Sequence, residues 1–464
     1  MYSIFDFEDA KKEDQRNLDM KIRFIDLFAG LGGTRIGFQE ACSELGIESE
    51  CVFTSEIKKF GVEIYKHNFF DDKVDDDITK IESNNIPDFE FLLGGFPCQA
   101  FSAAGNRQGF NDTRGTLFFD VARIIKEKKP LGFLLENVEG LVTHDHKDKS
   151  SKIGHTLQTI IKTLEELGYK ICWKVLNSLD FGVPQDRKRI YIIGSKIKKP
   201  TLLDLPNSNS KFFDIQEHGL PELKTEFTQK LLSLFSISDL EGKSIKDKRG
   251  GLNNIHSWDL ELKGKITKEQ KDLMGALLLE RRKKKWAELK GIKWMDGMTL
   301  TLSEIYSFYG SLFFTKNKIK TMLDDLVTKK YIRFEHPKDL VKDGDITKRE
   351  FATHLEKGYN IVTGKLSFEL NKILDPNSYA PTIVATEANR IGVIDSGKIR
   401  RLSERECFRL FGYPEWYNSN IELKYLYDLI GNTVVVPVIK QVAKNLLSSC
   451  FPKTKLLQGQ KLRR

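Results

Sequence analysis

Residues 23–42, RFIDLFAGLGGTRIGFQEAC, constrain the fold more than any other stretch of the chain. Arg23 to Phe28 reads as a buried strand. Ala29-Gly30-Leu31-Gly32-Gly33 is a tight turn, and Thr34 to Cys42 has helical character. A buried strand that turns through glycines directly into a helix belongs to an open α/β sheet. Glycines let the backbone approach a ligand closely, and the N-terminus of the following helix favours negative groups. The pattern is not GxGxxG, so an ordinary strand-to-helix turn is the alternative.

The next two strand ends extend the pattern. SECVFTSEI ends with Glu56, placed where an acid at the end of a second strand holds ribose hydroxyls. DKVDDDITKI supplies Asp77, suited to accept from an adenine amino group, beside Ile78, which would flank the ring. Alternatively Asp75 to Asp77 form a solvated acidic loop. In chain order the three pieces point to an adenosine cofactor.

Three further segments carry reactive side chains. In LLGGFPCQAFSAAGNRQGF, Phe91-Leu92-Leu93 ends a strand, Gly94, Gly95 and Pro97 stop it, and Cys98 follows. Open α/β folds place their chemistry where strands leave the sheet. A small buried thiol is the alternative. The residues after Cys98 are too polar and glycine-rich for a core, which favours a loop bearing a reactive group. PLGFLLENVEGLV reads as a strand, Leu131 to Leu135, ending in Glu136-Asn137-Val138. A carboxylate at a sheet mouth is costly unless it is paired or used. In LNSLDFGVPQDRKRIYIIGSK, Arg187 and Arg189 precede the strand Ile190 to Ile193. Alternating spacing puts both on one face of an extended segment, where they suit a carbonyl, a phosphate or Glu136.

The 464 residues allow two or three domains. Lys plus Arg is 74 against 65 Asp plus Glu, a balance of +9 that is compatible with a polyanion partner. No apolar run approaches the ~20 residues of a membrane span, and the acidic N-terminus lacks a secretory core, so no membrane partner is expected. Six cysteines without a CxxC pair give neither a zinc site nor a disulfide framework and fit a reducing cytoplasm. His144 and His146 read as part of a solvated loop, and no metal site is expected.

DLFAGLGG, GGFPCQAFS, RGTLFFDVARI, ENVEGL, QDRKRIYIIG, RRLSERECFRLFGYP and GNTVVVPVI together resemble the DNA (cytosine-5) methyltransferases of the bacterial restriction–modification type. The resemblance covers roughly residues 22–200 and 395–448. It implies that S-adenosylmethionine donates a methyl group to C5 of a flipped-out cytosine in duplex DNA. Cys98 would add to C6, with Gln99 beside it. Glu136 would bond N3 and the exocyclic amine, and Arg189, supported by Arg187, would hold O2. Carried over by position, Phe28, Ala29, Gly30, Gly32 and Gly33 form the cofactor turn. Glu56 and Ile57 meet the ribose, and Asp77 and Ile78 the adenine. Pro97 and Leu117 line the pocket, and Asn432, Thr433 and Val434 return to complete it. Gln99 to Thr116 would close as a lid, with Ser102, Arg107 and Arg114 on DNA. A cognate restriction endonuclease acting on the same site is an implied partner, and a monomer is expected.

The expected fold is therefore α/β: a Rossmann-like S-adenosylmethionine-dependent methyltransferase domain and a smaller target-recognition domain. Residues 1–20 form an N-terminal extension and 21–200 the first part of the catalytic domain. Residues 201–390 form the target-recognition region, and 391–464 return to the catalytic domain. In the middle region, Arg281 to Lys285 beside Trp286 suits contact with the DNA backbone through Lys283 and Lys284. A solvated helix face explains the same charges. Ser303 to Tyr309 and Lys316 to Lys330 have helical character and YIRFE alternates like a strand. The sequence helix–turn–helix–strand resembles a winged-helix unit, which either touches DNA or packs as a spacer. Thr382 lies where the region rejoins the core and is a candidate DNA contact.

Three other readings compete. An RNA cytosine-5 methyltransferase shares the catalytic core, but the long middle region and the Pro-Cys-Gln-Ala-Phe-Ser form favour DNA. A DNA-binding protein with a silent core conflicts with the presence of Cys98, Glu136, Arg187 and Arg189. A generic Rossmann enzyme explains the cofactor turn and nothing else.

Overall fold

A computed structural model of the chain describes residues 21–70, 74, 75, 77–97, 117–145, 152–202, 208–247, 251, 253–293, 297–310, 314–343, 346–362 and 368–451. The chain divides into two compact units. One comprises residues 1–218, 376–389 and 402–464, the other 219–375 and 390–401. Among the described residues no helix is long and apolar enough to cross a membrane.

The first unit is built on six strands: β1 (Lys21–Leu27), β2 (Glu48–Ser55), β3 (Phe91–Gly94), β4 (Gly132–Val138), β5 (Lys170–Asn177) and β6 (Lys188–Ser195). Their order in the sheet is β2-β1-β3-β4-β6-β5. The pairs β2–β1, β1–β3 and β3–β4 are parallel, whereas β6 runs against both β4 and β5. Strands covered on both faces need continuous apolar runs, and all four residues of β3 are buried. Helices α1 (Gly33–Glu44), α2 (Lys59–Phe69), α3 (Leu117–Lys128) and α4 (His155–Glu166) connect the strands. α4 turns Leu157, Ile160 and Leu164 inward at helical spacing. Phe133 on β4 lies opposite Gly194 on β6, where a Cβ would come 2.2 Å from the ring.

This topology concentrates the loops that matter at one edge. β1 is followed by β2 on one side and β3 on the other, the switch point at which open α/β sheets bind ligands. Because β6 is reversed, its N-terminal end reaches the same edge as the C-terminal ends of β1 to β4.

The second unit carries α5 (Glu226–Leu234), α6 (Lys268–Glu280), α7 (Lys285–Lys290), α8 (Leu302–Tyr309) and α9 (Lys316–Thr328). Strands β7 (Ile332–Glu335), β8 (Lys338–Asp343), β9 (Ile346–Phe351), β10 (Gly358–Ile361), β11 (Lys372–Ile373), β12 (Ile391–Asp395) and β13 (Lys398–Arg401) follow. It has two separate hydrophobic clusters. One gathers α6, α8, α9, β7 and β10 around Leu273, Leu277, Ile305, Leu323 and Leu326. The other gathers Leu231, Leu240, Ile245, Leu370, Ile373 and Ile399.

The chain then returns to the first unit through α10 (Glu404–Arg409), α11 (Leu423–Ile430) and α12 (Val436–Cys450). α12 packs against α1 and the sheet, with Lys440 and Lys444 paired to Glu44 at 2.9 and 2.8 Å. Gly37 of α1 makes the close approach possible. A Cβ there would lie 2.7 Å from Ile439 and 2.9 Å from the Val436 carbonyl. Gly37→Val should therefore destabilise the first unit by about 1–3 kcal/mol through overpacking, read as a lowered urea midpoint.

Candidate active site

A cavity of about 500 Å³ opens at the convergent edge of the first unit. Its wall is supplied strand by strand. Phe28 and Gly30 follow β1, Glu56 and Ile57 follow β2, and Phe96 and Pro97 follow β3. Glu136, Asn137 and Val138 end β4, and Arg189 begins β6 with Arg187 just before it. Asp77, Ile78 and Leu117 contribute from the connections, and Asn432 and Thr433 from the turn before α12.

The glycine turn is held from beneath and beside. Gly30 and Gly32 have φ of 54° and 72°, and Phe28 adopts the left-handed region at 56° despite its side chain. Glu56, itself buried, accepts the Gly30 N–H at 2.7 Å with one oxygen and the Lys58 N–H at 2.7 Å with the other. The acid expected to meet a ribose thus also shapes the turn. Ala29, Gly32, Gly33 and Val434 support the wall without lining it. The Ala29 N–H bonds the Ser55 carbonyl, and a Cβ on Gly32 would strike the Phe69 ring. A Cβ on Gly33 would strike Tyr413 and Val434. Below the turn, fully buried Asp26 accepts from the Thr34 hydroxyl at 2.6 Å and the Tyr65 hydroxyl at 3.4 Å. Burial pushes its carboxyl up to about 7, against the Thr34 bond and the nearby Arg35.

Asp77 has a local partner that bears on its expected role. One of its oxygens accepts from the Thr79 N–H at 3.1 Å and the Thr79 hydroxyl at 2.7 Å. These bonds, that of the hydroxyl foremost, hold its carboxyl below the usual range. Asn432 is exposed, its side chain donating to the Asp428 carbonyl at 3.1 Å.

Glu136 and Arg189 meet because of the strand register. Glu136 pairs across to Tyr191 and Val138 to Arg189, so Arg189 is the diagonal neighbour of Glu136 on the same face. Arg189 Nε lies 3.2 Å from Glu136 Oε1. Burial raises the Glu136 carboxyl above its ordinary range, opposed by Arg189 and then Arg187. Gly95 leaves room beside it, since a Cβ there would sit 3.6 Å from Glu136 Oε2. The site therefore holds a carboxyl with raised proton affinity next to a fixed cation.

Arg187 faces elsewhere. Its buried guanidinium donates to the carbonyls of Ile383 at 2.9 Å, Gly431 at 3.0 Å and Thr433 at 2.8 Å. Burial lowers it to about 10, so it stays charged at neutral pH. Of the partners foreseen for the two arginines, Arg187 takes carbonyls and Arg189 takes Glu136. Two polar residues without a role assigned from sequence also organise the site. Buried Gln185 donates to the Leu410 carbonyl at 2.6 Å and accepts the Ile383 N–H at 3.1 Å. Asn137 donates to the Phe96 carbonyl at 2.8 Å, fixing the segment that leads to Pro97. Both stand in motifs that the sequence made visible, QDRKR and ENV, which was the available signal.

Cys98, Gln99, Ser102, Arg107 and Arg114 lie outside the described residues, as does the lid segment that contains them. Thr382 is exposed and its hydroxyl donates to the Asp186 carbonyl at 2.6 Å. In the second unit, Lys283 pairs with Glu280, and Lys284 immediately precedes α7.

A switch-point cavity walled by a glycine turn, a β2-end acid and a β4-end acid is that of a Rossmann-like methyltransferase. The C-5 cytosine-specific DNA methylase family model matches residues 22–448, and the chain belongs to that family. It is 56% identical to the type II methyltransferase M.NlaIV of Neisseria lactamica, over 92% of this chain and 99% of that one. Identity to M.NgoBV of Neisseria gonorrhoeae is 55% over the same shares. Identity to M.BanI of Aneurinibacillus aneurinilyticus is 39%, over 93% and 96%.

Two outcomes follow from the buried charges. Asp26 binds its proton more tightly folded than unfolded, so its stabilising contribution is complete at acid pH and is lost as pH rises through about 7. Asp26→Asn should remove up to about 4 kcal/mol of stability loss between pH ~4 and ~7, measured by urea unfolding across that range. Arg187→Lys, unable to span three carbonyls, should cost about 3 kcal/mol in the same assay.

Proposed function

We propose that this chain is a sequence-specific DNA (cytosine-5) methyltransferase of a type II restriction–modification system. The observation that carries the reading is the Glu136–Arg189 pair in the same cavity as the glycine turn and Glu56. Pro97, the residue before Cys98, is part of that wall.

S-adenosylmethionine fits the residues present. Phe28, Ile78, Pro97 and Leu117 offer an apolar shelf for an adenine ring, and Glu56 and Asp77 offer acceptors for ribose and amine. The cavity volume is that of a small-molecule site. When bound, this cofactor supplies the methyl group. The residues of the chain do the rest. A cytosine cannot be reached inside a duplex and is flipped out at a cost of a few kcal/mol. The Cys98 thiolate adds to C6, which turns C5 into an enamine-like nucleophile. Glu136 delivers a proton to N3 as that charge develops, which suits a carboxyl whose proton affinity burial raises. Arg189 orients Glu136 and faces O2. Loss of the C5 proton to solvent and expulsion of the Cys98 thiolate from C6, with the N3 proton returning to Glu136, restore the aromatic ring and the enzyme. Ser102, Arg107 and Arg114 contact the DNA. Lys283, Lys284 and Thr382 contact DNA from the recognition region. A restriction endonuclease cutting the same site is the partner against which the modification protects.

Bisulfite sequencing of DNA from a host without its own cytosine methylation tests this directly. The wild-type chain should methylate one short motif. Cys98→Ala should give none, and Glu136→Gln should slow turnover by about 10²–10⁴-fold in purified protein. Unmethylated DNA from soluble wild-type protein, or methylation by Cys98→Ala, would sink the reading.

A further inference from the structure

The helical cluster of the second unit has the strand and helix order of a winged helix, with the short α7 interposed between its first helix and its first strand. α6 comes first. Leu300 then forms an antiparallel bridge with Tyr359, exchanging N–H···O bonds of 3.0 and 2.7 Å. α8 and α9 follow, separated by residues 310–315. β7 leads into the hairpin β8–β9, and β10 returns to pair with β7. Leu300, β10 and β7 thus make a three-stranded edge, and β8–β9 project from it as the wing. In helix-turn-helix units of this kind the second helix of the pair, here α9, enters the major groove.

The charges on α9 run against its own stability. A helix N-terminus favours acids, and α6 and α8 have Glu269 and Glu304 in their first turns. α9 has no acid in its first turn; Lys316, Lys318 and Lys320 crowd its first half instead, all exposed. Their partners are few: Ser303 at 2.9 Å for Lys316, Glu269 at 3.2 Å and the Phe314 ring at 4.8 Å for Lys318, and Asp324 at 2.6 Å for Lys320. Exposed pairs of this type are worth little and exchange readily for another anion. Residues 258–362 carry 22 Lys and Arg against 16 Asp and Glu, six of the chain's nine net positive charges. The wing exposes apolar surface as well, with Phe351 and Val341 at 49% and 41%. Cations set against the helix dipole, together with exposed apolar groups on a hairpin, match a phosphate backbone and its grooves.

We propose that residues 258–362 form a winged-helix module that binds duplex DNA, with α9 in the major groove and β8–β9 on the flanking backbone. This rests on the chain acting on duplex DNA, and the test separates the two claims. Full-length protein carrying Lys318→Ala with Lys320→Ala keeps a good helix former at both positions and relieves the dipole conflict, so folding is not at risk. Binding is titrated on a fluorescein-labelled duplex of about 30 base pairs containing the motif that wild-type protein methylates, over a range of salt concentrations. The variant should bind roughly tenfold more weakly, and its log–log salt slope should be shallower by about 2. S-adenosylhomocysteine affinity and the urea midpoint should not fall. A wild-type affinity and slope in the variant, alongside wild-type methylation of DNA by the parent protein, overturns the module's DNA role and favours a protein-binding spacer. A parent protein that methylates no duplex DNA overturns the underlying reading and the proposal with it.

Discussion

One guanidinium holds the catalytic edge together. Arg187 is buried, and its three bonds reach the carbonyls of Ile383, Gly431 and Thr433. Those atoms belong to two segments that return to the first unit, residues 376–389 and 402–464, on either side of the last piece of the second. Carbonyl groups left unpaired in a core are costly, and a charged donor makes strong bonds to them. Arg187 thereby fixes the 431–433 turn as part of the cavity wall. It also fixes the start of β6, from which Arg189 projects two residues later. Gln185 adds a second tie from the same strand approach, to Leu410 and Ile383.

Around this anchor the first unit buries carboxyls in two ways. Asp26 lies in the sheet with hydroxyl donors and a raised proton affinity, and its service is to the shape of the glycine turn. Glu136 lies at the rim with a cation at 3.2 Å, and burial raises it too. A carboxyl at a sheet edge can exchange its proton with a bound base, whereas one sealed beneath a turn cannot. The sheet topology decides which is which. β1 carries Asp26 inside the strand, and β4 carries Glu136 at its C-terminal end, level with the reversed start of β6.

Much of this was legible in the sequence because it is local. Apolar runs ending in glycine, Glu56, Pro97 or Glu136 mark strands and the edge where they stop, and those residues do line one cavity. The opposed direction of β6 was not legible, since an apolar run reads the same in either orientation. Nor were the partners of Arg187, which stand 196 to 246 residues away, beyond any periodicity. Asp77 shows the reverse case. Its cap on Thr79 is a two-residue pattern present in DDITK, and it uses the same carboxylate that a ligand would. In the middle region the helix from Lys316 was visible from apolar spacing, but the Leu300–Tyr359 bridge depends on a pairing across 59 residues.

The second unit also shows why its helical part stayed recognisable amid a sequence without catalytic motifs. Its two hydrophobic clusters share no residue, and the chain passes from one to the other within three positions, Trp258 in the first and Leu260 in the second. The helices of a segment that closes its own core must keep helical periodicity on their buried faces, whatever its neighbours do. The other cluster is assembled from short pieces as distant as Leu231 and Ile399, so no single stretch carries its pattern. Surface positions on the closed segment are then released from packing. Lysines at the start of α9 that oppose the helix dipole are tolerated there because the buried face of Ile319, Leu323 and Leu326 already determines the helix.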